Sequence, residues 1–456
     1  MNETLKQNTK YLQPLFRIAI PITLSNIISQ IQMIIDRAFL GHMDNRYMSA
    51  LSNVSSPVWA TMSFCFTIVT GASILISQKV GAGDKENIHA YAASMLKWNN
   101  VIPFLLFFFW FFCSESVFRL MGVSENLLPM CLDYVTFYAP IFLIVGLEAS
   151  SIVIMQTSNY TKPLVWYGIV RAGSNVVLDY ILIFGKFGFP QMGMKGAALA
   201  TMIAEYLGFI YAFCVFITSK KLFTRPPMQM VPGAKLAPFL TSVRLGLNTA
   251  FEDFAWNFGN LVLIRILNSI DEMAAGIYTI VFSVEILAVV VVGAMGQGTM
   301  TLSGEAAGRK DVRQYKGVCI TAYAVSAALS FVVLVCCIAF PAQLIGIFTA
   351  DGAVIAACST YLVLMGLNLF GKSANIIVGN GIRGSGNTIW MFITQIFGTV
   401  FVVCMAMLFV YVCDFGISGV FLAVIADELV RAVINLWKYI RIVRGMQNGA
   451  VEKGRG

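Results

Sequence analysis

The sequence predicts an all-α polytopic membrane protein of twelve transmembrane helices, arranged as two parallel-repeat six-helix bundles. Composition is the first observation behind this expectation. The chain has 456 residues, of which 58% are hydrophobic and only 12% charged, with a mean hydropathy of +0.77; water-soluble chains run about 25% charged. Roughly 264 apolar residues, at about 20 per bilayer crossing, supply about a dozen spans. The other two observations are a regular alternation of apolar runs with polar breaks and a match between the two halves of the chain.

Taken in order, the apolar runs predict helices over 15–40, 53–80, 90–118, 127–157, 163–186 and 194–219, then 239–268, 276–305, 315–348, 355–384, 388–412 and 417–440. The first run follows Lys6, Lys10 and Arg17 but is too long for the apolar core of a signal peptide and lacks a small-residue cleavage site, so it reads as a transmembrane helix. The long polar break at 220–238, with Arg225-Pro226-Pro227 and Pro232-Gly233, reads as a cytoplasmic linker between an N-terminal lobe (1–219) and a C-terminal lobe (239–456). Placing both termini in the cytoplasm puts Lys79, Lys85, Lys97, Lys162, Arg309, Lys310, Arg313, Arg383 and Lys438 inside. The opposite loops hold mainly Arg46, Arg119, Lys186 and Lys195 among acids. Because basic loops resist translocation, this asymmetry orients the chain in a cell inner membrane. The net charge of +8 is dispersed over these breaks and marks membrane flanks rather than nucleic acid. The ten cysteines lie in or beside apolar runs without a Cys-x-x-Cys pair, which predicts packing rather than metal or redox chemistry.

Sliding the chain on itself by about 225 residues aligns GASILISQKVGAGDKE (71–86) with GQGTMTLSGEAAGRKD (296–311). Tyr134, Ser158 and Thr161 fall on Tyr361, Ser385 and Thr388, and GMKGAALATMIAE (193–205) falls on GISGVFLAVIADE (416–428). Six helices separate the copies, an even number, so both copies have the same orientation in the membrane. Parallel repeats of this kind mark secondary transporters, in which substrate binds between lobes that rock to expose it on alternate sides.

A charge at the centre of a spanning helix costs about 2.5–3.5 kcal/mol, so those retained line a cavity or pair with one another. The spans carry Asp36, Glu148, Asp179, Glu205, Glu252, Asp253, Glu285, Asp427 and Glu428 against Arg37, Arg171, Arg244, Arg265, Lys372 and Arg431. The surplus of acids favours cations. At about 1.5 Å per residue, Asp36 and Asp179 each lie roughly 26–28 Å from the inner boundary, and Thr201 lies about 9 Å from the outer one. Asn175 precedes Asp179 by one turn. Two carboxylates, an amide and a hydroxyl can hold Na⁺, or the carboxylate pair can share a proton; the competing reading is an anchor pair near the interface. In the second half, Lys372 falls at a depth comparable to Glu252 and Glu285. It is expected to pair with one of them, either structurally or as a tethered cation that substrate or proton displaces. Asp427, Glu428 and Glu205 are expected to serve packing or to pair with Arg431. Asn26, Gln30, Met33, Glu148, Trp256 and Asn375 are candidates for the substrate cavity.

One motif looks catalytic. Residues 366–373, GLNLFGKS, satisfy the phosphate-loop pattern G-x-x-x-x-G-K-S, but the stretch lies inside an apolar run with no strand before it, so no ATP site is expected.

PITLSNIISQIQMIID (21–36) running into FLG and SALS, NVVLD (175–179), GAALAT (196–201) and RGSGNT (383–388) together resemble the MATE (multidrug and toxic compound extrusion) family. The resemblance spans essentially the whole chain and rests on the order of these motifs across a 6+6 architecture. It implies an exporter of cationic, lipophilic compounds driven by inward Na⁺ or H⁺. It implies that Asp36, Asn175, Asp179 and Thr201 form the cation site of the N-terminal lobe, and that Glu252 matches an acid on helix seven used by the Na⁺-coupled branch. An acid expected on helix ten is missing, with Lys372, Asn375 and Asn380 nearby. The expectation is therefore a monomeric secondary transporter, not an enzyme, with no cofactor and no ATP, taking small organic cations across the bilayer. The alternative is a flippase or exporter of a lipid-linked or organic metabolite on the same fold.

Overall fold

The computed structural model describes residues 2–43, 45–219, 231–271, 273–348 and 352–453, and among these there is no strand. The helices are α1 (Asn2–Met43), α2 (Asn45–Ala82), α3 (Lys85–Trp98), α4 (Val101–Leu120), α5 (Leu128–Tyr138), α6 (Phe142–Thr157), α7 (Lys162–Phe184) and α8 (Met194–Thr218). The second half adds α9 (Leu236–Asn268), α10 (Ala274–Arg309), α11 (Val312–Ala339), a short α12 (Pro341–Gly346), α13 (Gly352–Gly384), α14 (Thr388–Met407) with a π-helical turn to Val412, and α15 (Gly416–Lys453). Among the described residues, ten segments are long and apolar enough to cross a membrane. The long, more highly charged α9 and α15 complete the twelve-helix architecture.

Two predicted spans are broken, for local reasons. The third bends between α3 and α4, where Asn99 Nδ2 donates to Gly146 O (3.0 Å) and Ser150 Oγ (3.2 Å), and Asn100 Nδ2 donates to Leu143 O (2.8 Å). Short amide side chains compete with the helix for backbone partners, and here they fasten the bend onto α6. The fourth narrows to a 3₁₀ turn at Ala139–Ile141, where Pro140 has no N–H to offer the α-helical ladder.

The two halves repeat with a register of 227 in this structure. Asp84 caps α3 by accepting from Asn87 N–H (3.2 Å), and Asp311 caps α11 by accepting from Gln314 N–H (2.9 Å). The same interval relates Tyr134 to Tyr361, Ser158 to Ser385 and Thr161 to Thr388. Matching identities over 71–86 places the copies about 225 apart because residues recur at short intervals in a glycine-rich stretch, whereas an N-cap is a unique point in the backbone.

Contacts divide the chain into two compact units. One comprises Met1–Ala19, Ser77–Gly83 and Asn248–Gly456; the other comprises Ile20–Ile76 and Asp84–Leu247. Three of the four boundaries fall inside α1, α2 and α9, and the fourth lies in the turn between α2 and α3. Within the first unit, Gly298 of α10 packs on Leu15 of α1; within the second, Gly71 of α2 packs on the Ser242 carbonyl of α9. These contacts are the same contact at the 227 interval, so the first helix of each half lends its leading end to the opposite unit. Of the polar break at 220–238, residues 220–230 lie outside the described residues. Beyond them, Pro232 O accepts from Lys97 Nζ (3.0 Å) and Lys235 O from Ser94 Oγ (2.9 Å). All ten cysteines are free.

Candidate functional site

In the unit containing α7 and α8, a polar stripe runs along α7. Pro163 opens this helix, Gly185 ends it in the left-handed conformation, and Tyr167, Arg171, Asn175 and Asp179 recur every fourth residue on one side. Helix α8 can approach that stripe because Gly196 meets the backbone of Leu182 and Gly208 meets the side chains of Tyr167 and Arg171. Asp179 and Asn175 are fully buried and Gln32 nearly so.

The four expected cation-site residues converge. Asp36 of α1 and Asp179 of α7 are in hydrogen-bond contact through their carboxyl groups. Asn175 lies 3.4 Å from Thr201 Oγ1. The atom of its amide that faces the acids lies 2.8 Å from Asp36 Oδ1, 3.2 Å from Asp179 Oδ2 and 2.8 Å from the Gln32 amide. Assigned as nitrogen, that atom donates to both carboxylates; assigned as oxygen, it accepts from Gln32 Nε2 and faces both carboxylates, an arrangement that a cation among them would satisfy. Two carboxyl groups this close require a shared proton or a cation between them.

Further along α7, Arg171 Nη1 pairs with Glu205 Oε1 at 2.6 Å and Nη2 donates to Ser29 Oγ. Tyr167 OH donates to Glu148 Oε1 at 2.9 Å. Glu148 is thus enclosed by a tyrosine hydroxyl, while Asn26, Gln30 and Met33 stay partly or fully exposed on α1.

The other unit holds a cavity of about 340 Å³, and both Trp256 and Asn375 line it. Lys372 Nζ pairs with Glu285 at 2.8 Å and sits 5.6 Å from the centre of the Phe282 ring. Glu252 pairs with Arg383 instead. Of the two acids expected as alternatives for Lys372, Glu285 is the partner; one expectation is corrected, since Arg383 is drawn into the bundle rather than left on the inner flank. Long side chains reach along the helix axis, so depth counted from the backbone understates where a guanidinium ends up. Arg431 grips Asp427 at 2.7 Å, reaches Glu428 at 3.3 Å and donates to Gln395 Oε1 at 2.8 Å. Asn375 Nδ2 donates to Glu428 Oε2 at 2.6 Å, and Asn375 Oδ1 accepts from Asn435 at 3.1 Å. Depth and charge alone miss Gln32, Tyr167, Gln395 and Asn435. The four-residue spacing of Tyr167 and Arg171 ahead of Asn175 and Asp179 is the signal for the first network.

The Glu252–Arg383 pair makes a direct prediction. Arg383→Met leaves a buried carboxylate without its cation, a change that costs about 3–5 kcal/mol. The apparent unfolding temperature in detergent should fall by several degrees, and adding Glu252→Gln to the same chain should restore most of it. A double variant no more stable than Arg383→Met alone would show that the pairing is not what matters. The stretch 366–373 is helical throughout α13, with Gly366 against Leu334 and Gly371 against Glu428, so its backbone amides are committed to the helix.

The family model described as MatE matches the chain twice, over 21–181 and 249–408, covering both halves. The chain belongs to the MatE family. The two matches begin 228 residues apart, within one residue of the register set by the helix caps. The chain is similar to the probable multidrug resistance protein NorM of Thermotoga maritima, with 27% identity over 92% of this chain and 90% of that protein. It is also similar to the multidrug resistance protein PmpM of Pseudomonas aeruginosa, with 24% identity over 83% of this chain and 79% of that protein. Among solved structures, MATE in the bent conformation superposes with a TM-score of 0.87 at 16% identity, covering 99% of each chain. A MOP superfamily transporter from Pyrococcus furiosus superposes with a TM-score of 0.84 at 18% identity, covering 95% and 96%. At these identities the superpositions speak for the fold. A MatE chain with this many apolar helices is a multi-pass membrane transporter rather than an enzyme.

Proposed function

We propose that this MatE protein is a cation-coupled multidrug exporter that expels cationic lipophilic drugs or toxins in exchange for inward Na⁺ or H⁺. The observation that carries the reading is the pair of half-buried Asp36 and fully buried Asp179, bridged by Asn175 and flanked by Thr201. Such a pair changes its net charge when it takes up a proton or a monovalent cation, and the Asn175 amide accommodates either outcome. With a proton on the pair its nitrogen faces inward as a donor; with Na⁺ its oxygen turns inward as a ligand. The second lobe's acids are largely matched by Lys372, Arg383 and Arg431, so coupling is assigned to the N-terminal lobe.

In this reading the lobes at 1–219 and 239–456, joined by the cytoplasmic linker at 220–238, alternate access to the two sides of the cell inner membrane, with both termini inside. Cation binding favours one conformation over the other, and only that difference in affinity can drive the drug uphill. One chain contains both lobes, so a monomer suffices, and neither ATP nor a cofactor enters the cycle. The names of the NorM and PmpM relatives support multidrug export. Purified protein in proteoliposomes should move ethidium when an inward Na⁺ or pH gradient is imposed, and the gradient that drives it identifies the ion. Failure under both gradients would reject the coupling.

A further inference from the structure

The cavity in the unit built largely from the second half contains a carboxylate with no ion-pair partner of its own among the described residues; Arg383, the cation within electrostatic reach of it, is bonded to Glu252. Glu285 is held by Lys372 and Glu252 by Arg383. Arg431 is shared between Asp427 and Glu428. Asp253 lines the same cavity with an accessible side chain, and among the described residues its carboxylate has no hydrogen bond or ion pair. Its backbone is ordinary helix, with Asn257 Nδ2 donating to its carbonyl at 2.8 Å. Trp256, one turn further along α9, lines the cavity beside it. The face of Phe282 is already occupied by the Lys372 ammonium, so Trp256 is the aromatic surface next to the unmatched charge.

We propose that Asp253 is the specificity-determining carboxylate for the exported cation, with the Trp256 indole as its aromatic partner. An acid retained inside a spanning segment without a partner in the protein calls for one outside it. A cation with spread charge and apolar flanks satisfies both neighbours, taking the carboxylate through charge and the indole through a cation–π contact. The cavity volume of about 340 Å³ falls in the range of small-ligand sites. The three neighbouring cations have a defined part: Lys372 and Arg383 each hold one acid and Arg431 holds two, so Glu285, Glu252, Asp427 and Glu428 do not compete for the ligand, and Asp253 sets the preference for positive charge.

This inference rests on the proposed export of organic cations, and its test separates the two. Binding of tetraphenylphosphonium and of the neutral triphenylphosphine oxide is measured on the purified full chain in detergent, without any ion gradient. Asp253→Asn should weaken tetraphenylphosphonium binding at least tenfold while leaving triphenylphosphine oxide within about twofold, and Asp253→Glu should recover most of the loss. Trp256→Ala, which removes no charge, should weaken the phosphonium severalfold. Unchanged phosphonium binding in Asp253→Asn, or equal losses for the charged and neutral probes, would overturn the assignment of Asp253. No phosphonium binding by the unaltered protein would overturn the reading on which it rests.

Discussion

Asp36→Asn and Asp179→Asn should each yield a folded, inserted protein that no longer exports ethidium against a gradient. Asparagine matches aspartate in size and can still hydrogen-bond Asn175 and Gln32, so the buried cluster keeps its packing. What is lost is the ability to take up a proton or Na⁺ with a change of charge. Coupling free energies between two sites are typically about 1–3 kcal/mol, so removing one should lower gradient-driven accumulation by about 5- to 150-fold. Initial rates in proteoliposomes under an imposed cation gradient, normalised to inserted protein, measure this. Full efflux by either variant would refute the coupling role. Thr201→Ser keeps the hydroxyl beside Asn175 and should transport nearly as the unaltered protein does.

Gly81→Ala and Gly308→Ala should be the most damaging single-methyl changes in the molecule. Helices α2 and α10 cross at these glycines, where a Cβ on Gly81 would collide with the backbone carbonyl of Glu305 and one on Gly308 with that of Gln78. The two contacts are equivalent under the 227 interval, so the crossing is locally symmetric. Extra methyl groups in a packed interior cost about 1–3 kcal/mol when side chains can adjust. Here a helix backbone must move, and the cost should reach or exceed the top of that range. Gly293→Ala, on the same α10 but with nothing within 4 Å of the added methyl, is the control and should be neutral or slightly stabilising. Folded yield and unfolding temperature in detergent report both effects. Equal behaviour of Gly308→Ala and Gly293→Ala would mean the helices are not held at this distance.

Much of the candidate cation site is legible in the amino-acid order because it depends on depth alone. Counting residues from charged helix ends brings Asp36, Asp179 and Thr201 to one level, and the one-turn interval adds Asn175; the fold gathers these four. Gln32 escapes because a glutamine in an apolar run carries no distinctive pattern. The second-half pairs are only half legible. Lys372 and Glu285 share a depth and meet, whereas Glu252 turns to Arg383, a residue whose position near a helix end masks the reach of its side chain.

The amino-acid order is enough to place the chain in lipid, to give helices of bilayer length, to make its halves repeat and to leave its buried charge mostly acidic. Each of these is a local or additive property, written in hydropathy, residue spacing and composition. The 227 register, the bends at Asn99–Asn100 and Pro140, and the exchange of helix ends between units arise only when the helices pack. So does the choice of which cation holds which acid, a choice that leaves Asp253 without an ion pair among the described residues. These outcomes depend on how far each helix is rotated about its axis and on separations of an ångström or two. A rotation of one residue, about 100°, exchanges every partner while leaving the hydropathy profile unaltered.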